Sequence, residues 1–323
     1  MSEGHDARIA ASPIVAGDDG MALAVAALRR GAVIGMPTET VYGLAADASD
    51  PKAVAAIYAA KARPSFNPLI SHVPSLDMAR REGVMDARAE ALAEAFWPGP
   101  LTLVVPAAEG GHTCELARAG LSTLALRVPA HPLALSLLAS FDGPLSAPSA
   151  NPSGRLSPTR ASEVAAELGE AVELVLDGGA CRAGIESTII AVTGDSPAML
   201  LRPGAIARED IEAIVGPLSK PAAANIVAPG QLQSHYAPRA KIRLNATNAG
   251  ADEVLLGFGP RAPADAKNLS KSGDLVEAAA NLYRMLRLLD ASGAPTISIM
   301  PVPDRGLGEA INDRLRRAAA PRE

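Results

Sequence analysis

The sequence predicts an α/β protein made of one large and one small unit, and three observations carry that prediction. At 323 residues the chain exceeds the usual length of a single domain. Short apolar runs alternate with amphipathic stretches along most of it, the pattern of strands and helices exchanged across a layered sheet. Residues 216–238 are rich in Pro, Ala and Ser and show little periodicity, so they read as a linker between residues 1–215 and residues 239–323.

Residues 20–30 space their apolar side chains as a helix and stop at Gly31, suited to a left-handed C-terminal cap, ahead of a strand over 32–35. Met36-Pro37-Thr38-Glu39-Thr40-Val41-Tyr42-Gly43-Leu44 follows. This proline turn pushes two threonines, a glutamate and a tyrosine beyond a strand end, where α/β folds commonly bind ligands. Asp50-Pro51 supplies an N-cap and a first-turn proline for an Ala-rich helix over 52–61. That helix ends by Arg63, because Pro64 disfavours helical geometry in the residue before it. Lys61 and Arg63 therefore sit at a helix C-terminus, where cations complement the dipole with or without a function. The proline-bounded stretch 64–72 runs from a loop into a short strand and carries an amide, Asn67, and an imidazole, His72.

Residues 76–96 read as one charged helix, broken by Trp97-Pro98-Gly99-Pro100 before a strand over 101–105. In the strand within 120–129, Thr123, Ala125 and Arg127 share one face, and Leu124, Leu126 and Val128 the other. An arginine facing out of an otherwise apolar strand needs a carboxylate or phosphate partner. A helix over 132–141 leads to a strand over 144–147 and a second polar turn, Pro148-Ser149-Ala150-Asn151-Pro152-Ser153-Gly154. After a helix over 160–168 and a strand over 172–176, the strand 184–190 opens on an exposed acid, Glu186, and two hydroxyls, Ser187 and Thr188. The strand 198–201 ends in Arg202-Pro203-Gly204, and the helix 207–215 closes the large unit. The small unit alternates strands at 241–244 and 253–258, a helix at 274–289, a strand at 296–300 and a helix at 307–319. Gly306-Leu307-Gly308 is no dinucleotide fingerprint, because the third glycine position holds Ile311.

Composition narrows the function classes. Up to residue 238 the chain holds 17 Lys plus Arg against 25 Asp plus Glu, a balance of -8, whereas residues 239–323 hold 13 against 10, a balance of +3. An acidic large unit binds anions only where cations cluster locally, and 3% aromatics disfavours a single-strand nucleic-acid platform. Cys114 and Cys181 make neither a disulfide framework nor a metal cluster, and both are expected reduced. Residues 1–12 lack an apolar h-region and no apolar run approaches transmembrane length, so a cytoplasmic protein without membrane contact is expected.

Seven motifs then form a set. Pro37-Thr38-Glu39-Thr40-Val41-Tyr42-Gly43-Leu44, Lys61-Ala62-Arg63-Pro64, Asn67-Pro68-Leu69-Ile70, Trp97-Pro98-Gly99-Pro100-Leu101-Thr102, Arg127-Val128-Pro129, Ala147-Pro148-Ser149-Ala150-Asn151 and Glu186-Ser187-Thr188-Ile189 occur in order over about the first 205 residues. In that order and spacing the chain resembles the YrdC-like family. With Ser234-His235-Tyr236-Ala237-Pro238 and the small unit behind them, it resembles the family's longer two-domain form, the threonylcarbamoyl-AMP synthases.

The resemblance implies a twisted mixed sheet with helices around a concave, cation-lined cavity, followed by a smaller Rossmann-like α/β domain. It implies a nucleotidyltransferase that joins L-threonine, bicarbonate or CO2, and ATP into threonylcarbamoyl-AMP and releases pyrophosphate. Mg2+ would accompany the ATP, and no protein metal site is implied. The product would pass to a separate tRNA threonylcarbamoyl transferase, leaving tRNA contact indirect or weak. By motif position, threonine would meet Thr40, His72, Arg127, Ala147 and Ser187. ATP would meet Arg63, Asn67, Thr123, Ser149, Asn151, Ser157, Arg202 and Tyr236, with Lys61 and Arg63 as the catalytic cations. Residues 216–238 would fold over the cavity as a lid, although Gln231-Leu232-Gln233-Ser234 offers no cation where several relatives carry a lysine.

The residues make chemical sense of such a reaction. A carbamate, an amino-acid carboxylate and a triphosphate are all anionic, and Lys61, Arg63, Arg127 and Arg202 are the cations available to gather them. Two alternatives stand beside it: an RNA-binding module using a basic cavity, and a related carbamoyl-adenylate-forming enzyme. The last helix with Arg314, Arg316 and Arg317 would there touch tRNA or the downstream transferase, although such a run more often forms a solvated face.

Overall fold

The structure is a computed structural model that describes residues 12–220, 228–229 and 234–321. In chain order the large unit forms β1 (Ile14–Val15), α1 (Gly17–Arg29), β2 (Ile34–Met36), β3 (Gly43–Asp47), α2 (Pro51–Lys61), β4 (Ile70–His72), α3 (Leu76–Glu82) and α4 (Ala87–Phe96). It continues with β5 (Leu101–Pro106), β6 (Thr123–Arg127), α5 (Pro132–Phe141), β7 (Leu145–Ser146), α6 (Ala161–Leu168), β8 (Leu174–Leu176), β9 (Thr188–Ala191), β10 (Met199–Arg202) and α7 (Arg208–Val215). The small unit holds β11 (Lys241–Arg243), β12 (Glu253–Gly257), β13 (Lys267–Asn268), α8 (Leu275–Asp290), β14 (Thr296–Ile299) and α9 (Leu307–Ala319).

The large sheet is mixed, in the order β1-β8-β2-β3-β7-β4-β6-β5-β9-β10. The small one, β11-β14-β12-β13, is parallel throughout. Alternation along the strands sorts the helices to opposite faces. On β3, Ala45 packs with α1 and α5, while Leu44 and Ala46 pack with α2 and α6. Further along the sheet, α3, α4 and α7 cover Leu103, Leu126, Ile190 and Leu200. Among the described residues, the opposite face there carries a small buried cluster of Ile70, Val104, Ala125, Ile189 and Leu201 with Ala228. This half-face, which Arg127 continues at the end of β6, is where the site forms.

Two differences from the sequence reading have local causes. The helix expected over 76–96 is two helices. Gly83 is extended and packs so closely that an added Cβ would lie 2.6 Å from Val105 Cγ2, while Val84 N donates to Pro106 O at 2.8 Å. Asp86 then restarts the helix, its carboxylate accepting from Arg88 N and Ala89 N at 2.9 Å each. The short strands β1, β3 and β13 also went unread, being too brief or too rich in Ala and Gly to show alternation.

The units share a core: Val41, Leu156 and Ile185 of the large one pack in the same buried cluster as Tyr283, Leu286, Ile311 and Leu315 of α8 and α9. Among the described residues, no helix is long and apolar enough to cross a membrane.

Candidate active site

The first wall is the loop of a hairpin. β2 and β3 pair antiparallel with Met36 opposite Gly43, so the Pro37-to-Tyr42 motif is the connection between them. Thr38 Oγ1 closes that loop on itself, accepting from Thr40 N at 3.2 Å and Val41 N at 3.3 Å while donating to Val41 O at 2.6 Å. Thr40 Oγ1 is thereby aimed at Arg127, whose Nη1 reaches it at 3.0 Å. The partner that Arg127 required is internal: Nη2 meets Glu39 Oε1 at 2.5 Å, and Nε donates to Gly99 O at 3.1 Å.

The second wall is the C-terminus of α2. Ala62 takes the left-handed cap (φ 47°), and the chain turns so that Arg63 Nε donates to Asn67 O at 3.2 Å and Nη2 to Pro68 O at 3.0 Å. Lys61 is 1% exposed, and its ammonium donates to Ser149 O and Asn151 O, pinning the turn after β7. The Asn151 amide donates to Pro152 O and Arg155 O within the same turn.

The third wall joins β9 and β10. Arg202 donates to Ser187 O from Nε (3.2 Å) and Nη2 (2.9 Å), and to Pro229 O at 3.3 Å, while Ser187 Oγ lies 2.7 Å from Thr102 Oγ1. Gly204 admits no side chain here, since a Cβ would fall 2.4 Å from the Ser187 carbonyl carbon. Glu186, expected as an exposed acid, is buried instead. Tyr283 Oη donates to both of its oxygens at 2.9 Å, Ser157 Oγ donates at 2.5 Å, and Arg314 Nε lies 2.8 Å away. Burial alone would raise this carboxyl, but Arg314, Arg202 and the Ser157 hydrogen bond override it and hold it at about 2.

These walls enclose a cavity with about 510 Å3 of space free of protein atoms, the open mouth included. Its lining brings together Thr40, His72, Arg127, Ala147 and Ser187, the whole expected threonine set, with Arg63, Ser149, Arg202 and Tyr236 from the nucleotide set. Lys61, Asn67, Asn151 and Ser157 stand just behind the lining, each bonded to a lining residue or its neighbour. Thr123 lies four residues before Arg127 on β6, outside the lining. Thr38, Glu186 and His235 line the cavity without having been named as site residues, although all three lie inside motifs already singled out.

Electrostatically the cavity is built for anions. Arg63 and Arg202 bond carbonyls and a hydroxyl rather than carboxylates. Burial, with repulsion from Arg314, lowers Arg202; burial, with repulsion from Arg202, brings Arg63 down to about 10; and burial, with repulsion from Arg63, lowers Lys61 well below the usual amine range. A bound anion relieves that repulsion. His72 is held neutral, at about 3, by burial and by the Arg127 charge, and its Nδ1 has no hydrogen-bond partner among the described residues. The carboxylates nearest the cavity, Glu39 and Glu186, are already ion-paired with Arg127 and Arg314, and no metal-holding group of three His, Cys, Asp or Glu occurs among the described residues.

A mixed α/β sheet that gathers buried guanidinium groups, hydroxyls and a neutral imidazole in one cavity has the make-up of an enzyme site for small anionic substrates. Family models specify which. One described as telomere recombination matches residues 26–204, and one described as the C-terminal domain of threonylcarbamoyl-AMP synthase matches residues 206–320. The chain belongs to the threonylcarbamoyl-AMP synthase family.

It is 39% identical to the threonylcarbamoyl-AMP synthase of Pyrococcus abyssi, over 92% of this chain and 93% of that one. It is 37% identical to that of Bacillus subtilis, over 94% of both. A crystal structure of Pyrococcus abyssi Sua5 complexed with L-threonine superposes with a TM-score of 0.86 at 36% identity, covering 95% of this chain and 97% of the other.

Proposed function

We propose that the protein synthesises threonylcarbamoyl-AMP from L-threonine, bicarbonate or CO2, and ATP, with release of pyrophosphate. The observation that carries this reading is the convergence of Arg63, Arg127 and Arg202 with Thr40, His72 and Ser187 on one cavity of a synthase-family fold. Neutral threonine amine attacks the carbon of CO2, loses a proton and forms a carbamate; a carbamate oxygen then attacks the α-phosphate and pyrophosphate leaves. No protein nucleophile is needed, so the chain's task is alignment and charge stabilisation.

Threonine is read as lying against Thr40, His72, Arg127, Ala147 and Ser187. A neutral His72 suits an amine that must itself be neutral to react. ATP is read against Arg63, Asn67, Thr123, Ser149, Asn151, Ser157, Arg202 and Tyr236, with Lys61 and Arg63 opposing the negative charge of the transferring phosphate. Mg2+ enters as part of the substrate on the triphosphate, since Glu39 and Glu186 are occupied by arginines. Residues 1–215 are read as the catalytic domain, 239–323 as the supporting domain and 216–238 as a cover. Pro229, His235 and Tyr236 in the lining support that last role; residues 221–227 and 230–233 lie outside the described residues. Cleavage of 216–238 at equal rates with and without ATP plus threonine would count against a cover.

The product is read as serving a cytoplasmic tRNA-modifying transferase. The RNA-binding alternative loses one of its three cations, because Arg314 is buried in an ion pair rather than displayed on a solvated face. Purified protein should release pyrophosphate from ATP only when threonine and bicarbonate are both present; release that ignores either one would refute the reading.

A further inference from the structure

The small unit reaches the cavity through two side chains that do not line it. Arg314, on α9, is 1% exposed, although its neighbour Arg316 is exposed. Besides its bond to Glu186, Arg314 donates from Nη1 to Pro203 O at 2.9 Å, and its guanidinium carbon lies 5.0 Å from the centre of the Tyr236 ring. Tyr283, on α8, hydrogen-bonds both oxygens of Glu186 and stacks on Tyr236 with centroids 5.9 Å apart. Glu186 precedes Ser187, Pro203 follows Arg202, and Tyr236 itself lines the cavity. One guanidinium thus grips the chain beside three lining residues on three separate segments. For stability alone, a buried Arg–Glu pair is no better than a well-packed apolar pair of the same volume. Its planar fork and ring contact instead fit a role in geometry.

We propose that Arg314 and Tyr283 are positioning residues of the synthase: from the small unit they hold Glu186 and Tyr236, and through them Ser187 and Arg202, in the arrangement that binds the nucleotide. This rests on the reading of the cavity as an ATP site. It gives the second domain a role in substrate affinity, exerted without contact to substrate.

The test is ATP binding to the full chain by calorimetry, alongside steady-state pyrophosphate release. Arg314→Met should weaken ATP affinity and raise its KM by roughly tenfold or more, the scale of a sub-ångström to ångström displacement, while kcat at saturating ATP falls much less. Arg314→Lys, which keeps the charge and loses the fork, should fall between the two. Tyr283→Phe keeps the ring and removes only the hydroxyl; it should weaken ATP binding several-fold, and it decides the matter if Arg314→Met does not fold. ATP affinity within twofold of wild type in a folded Arg314→Met, or in Tyr283→Phe, would overturn the inference. A wild-type chain that binds ATP but releases no pyrophosphate with threonine and bicarbonate would overturn the functional reading instead, and the binding series would still decide this one.

Discussion

Arg127, at the end of β6, and Glu39, in the β2–β3 loop, meet at 2.5 Å with side chains only 4% and 7% exposed. The pair ties the hairpin loop to the sheet and spreads the arginine over Glu39, Thr40 and Gly99, so the guanidinium is oriented before any substrate arrives. Preorganisation of this kind is what a site without a protein nucleophile depends on.

Arg127→Met strands the Glu39 carboxylate in the interior. Urea denaturation should show a loss of about 3–5 kcal/mol, with a substantial part recovered in Arg127→Met/Glu39→Gln, where no buried charge is left unpaired. A double variant as unstable as the single one would contradict the assignment of the pair.

Lys61 holds Ser149 O and Asn151 O. Lys61→Met leaves both carbonyls without that donor and should lower stability by about 1–3 kcal/mol. It should also depress kcat for pyrophosphate release, by roughly 100-fold if the ammonium opposes charge on the transferring phosphate. Lost stability with unchanged kcat would confine Lys61 to the turn.

His72 and His235 are both held at about 3, chiefly by burial. Above the ordinary imidazole value of about 6.5 both are neutral in the folded and the unfolded chain, and they add no pH dependence. Between there and pH 3 the unfolded chain takes up protons that the folded one refuses. Stability therefore falls as pH drops, by at most about 1.4 kcal/mol per pH unit for each histidine. Unfolding free energies measured at pH 7 and pH 5 should differ less in His72→Gln than in wild type; equal differences would show that His72 titrates normally in the fold.

Gly204→Ala drives a Cβ to 2.4 Å from Ser187 C and Thr188 N, a backbone that cannot swing aside as a side chain can. The variant should lose about 1–3 kcal/mol or more and raise KM for threonine, because relief of the clash moves Ser187. Wild-type KM with wild-type stability would mean that the strand pair is more compliant than it looks.

Much of this site was legible in the sequence because its groups are delivered by short local signals. Pro37 ends a strand, Asp50-Pro51 starts a helix, Pro64 bounds its end and Pro148 follows a strand, so the polar residues beside them fall at element ends. The burial of Glu186 was not legible in this way, because its partners Tyr283 and Arg314 lie 97 and 128 residues along the chain. A signal for Arg314 did exist. It occupies the apolar stripe of α9 with Ile311, Leu315 and Ala318, where a cation needs a buried acid, but the neighbouring Arg316 and Arg317 made the run read as solvated. The break at Gly83 depends on contacts with Val105 and Leu126, which no local pattern announces.

The central claim is that this cavity joins threonine, bicarbonate and ATP, and pyrophosphate release by the purified full chain tests it most directly. Release that requires both L-threonine and bicarbonate, falls sharply with serine or alanine, and leaves threonylcarbamoyl-AMP detectable by mass spectrometry is the predicted result. No release from folded protein supplied with all three substrates and Mg2+, or release indifferent to threonine, would contradict it.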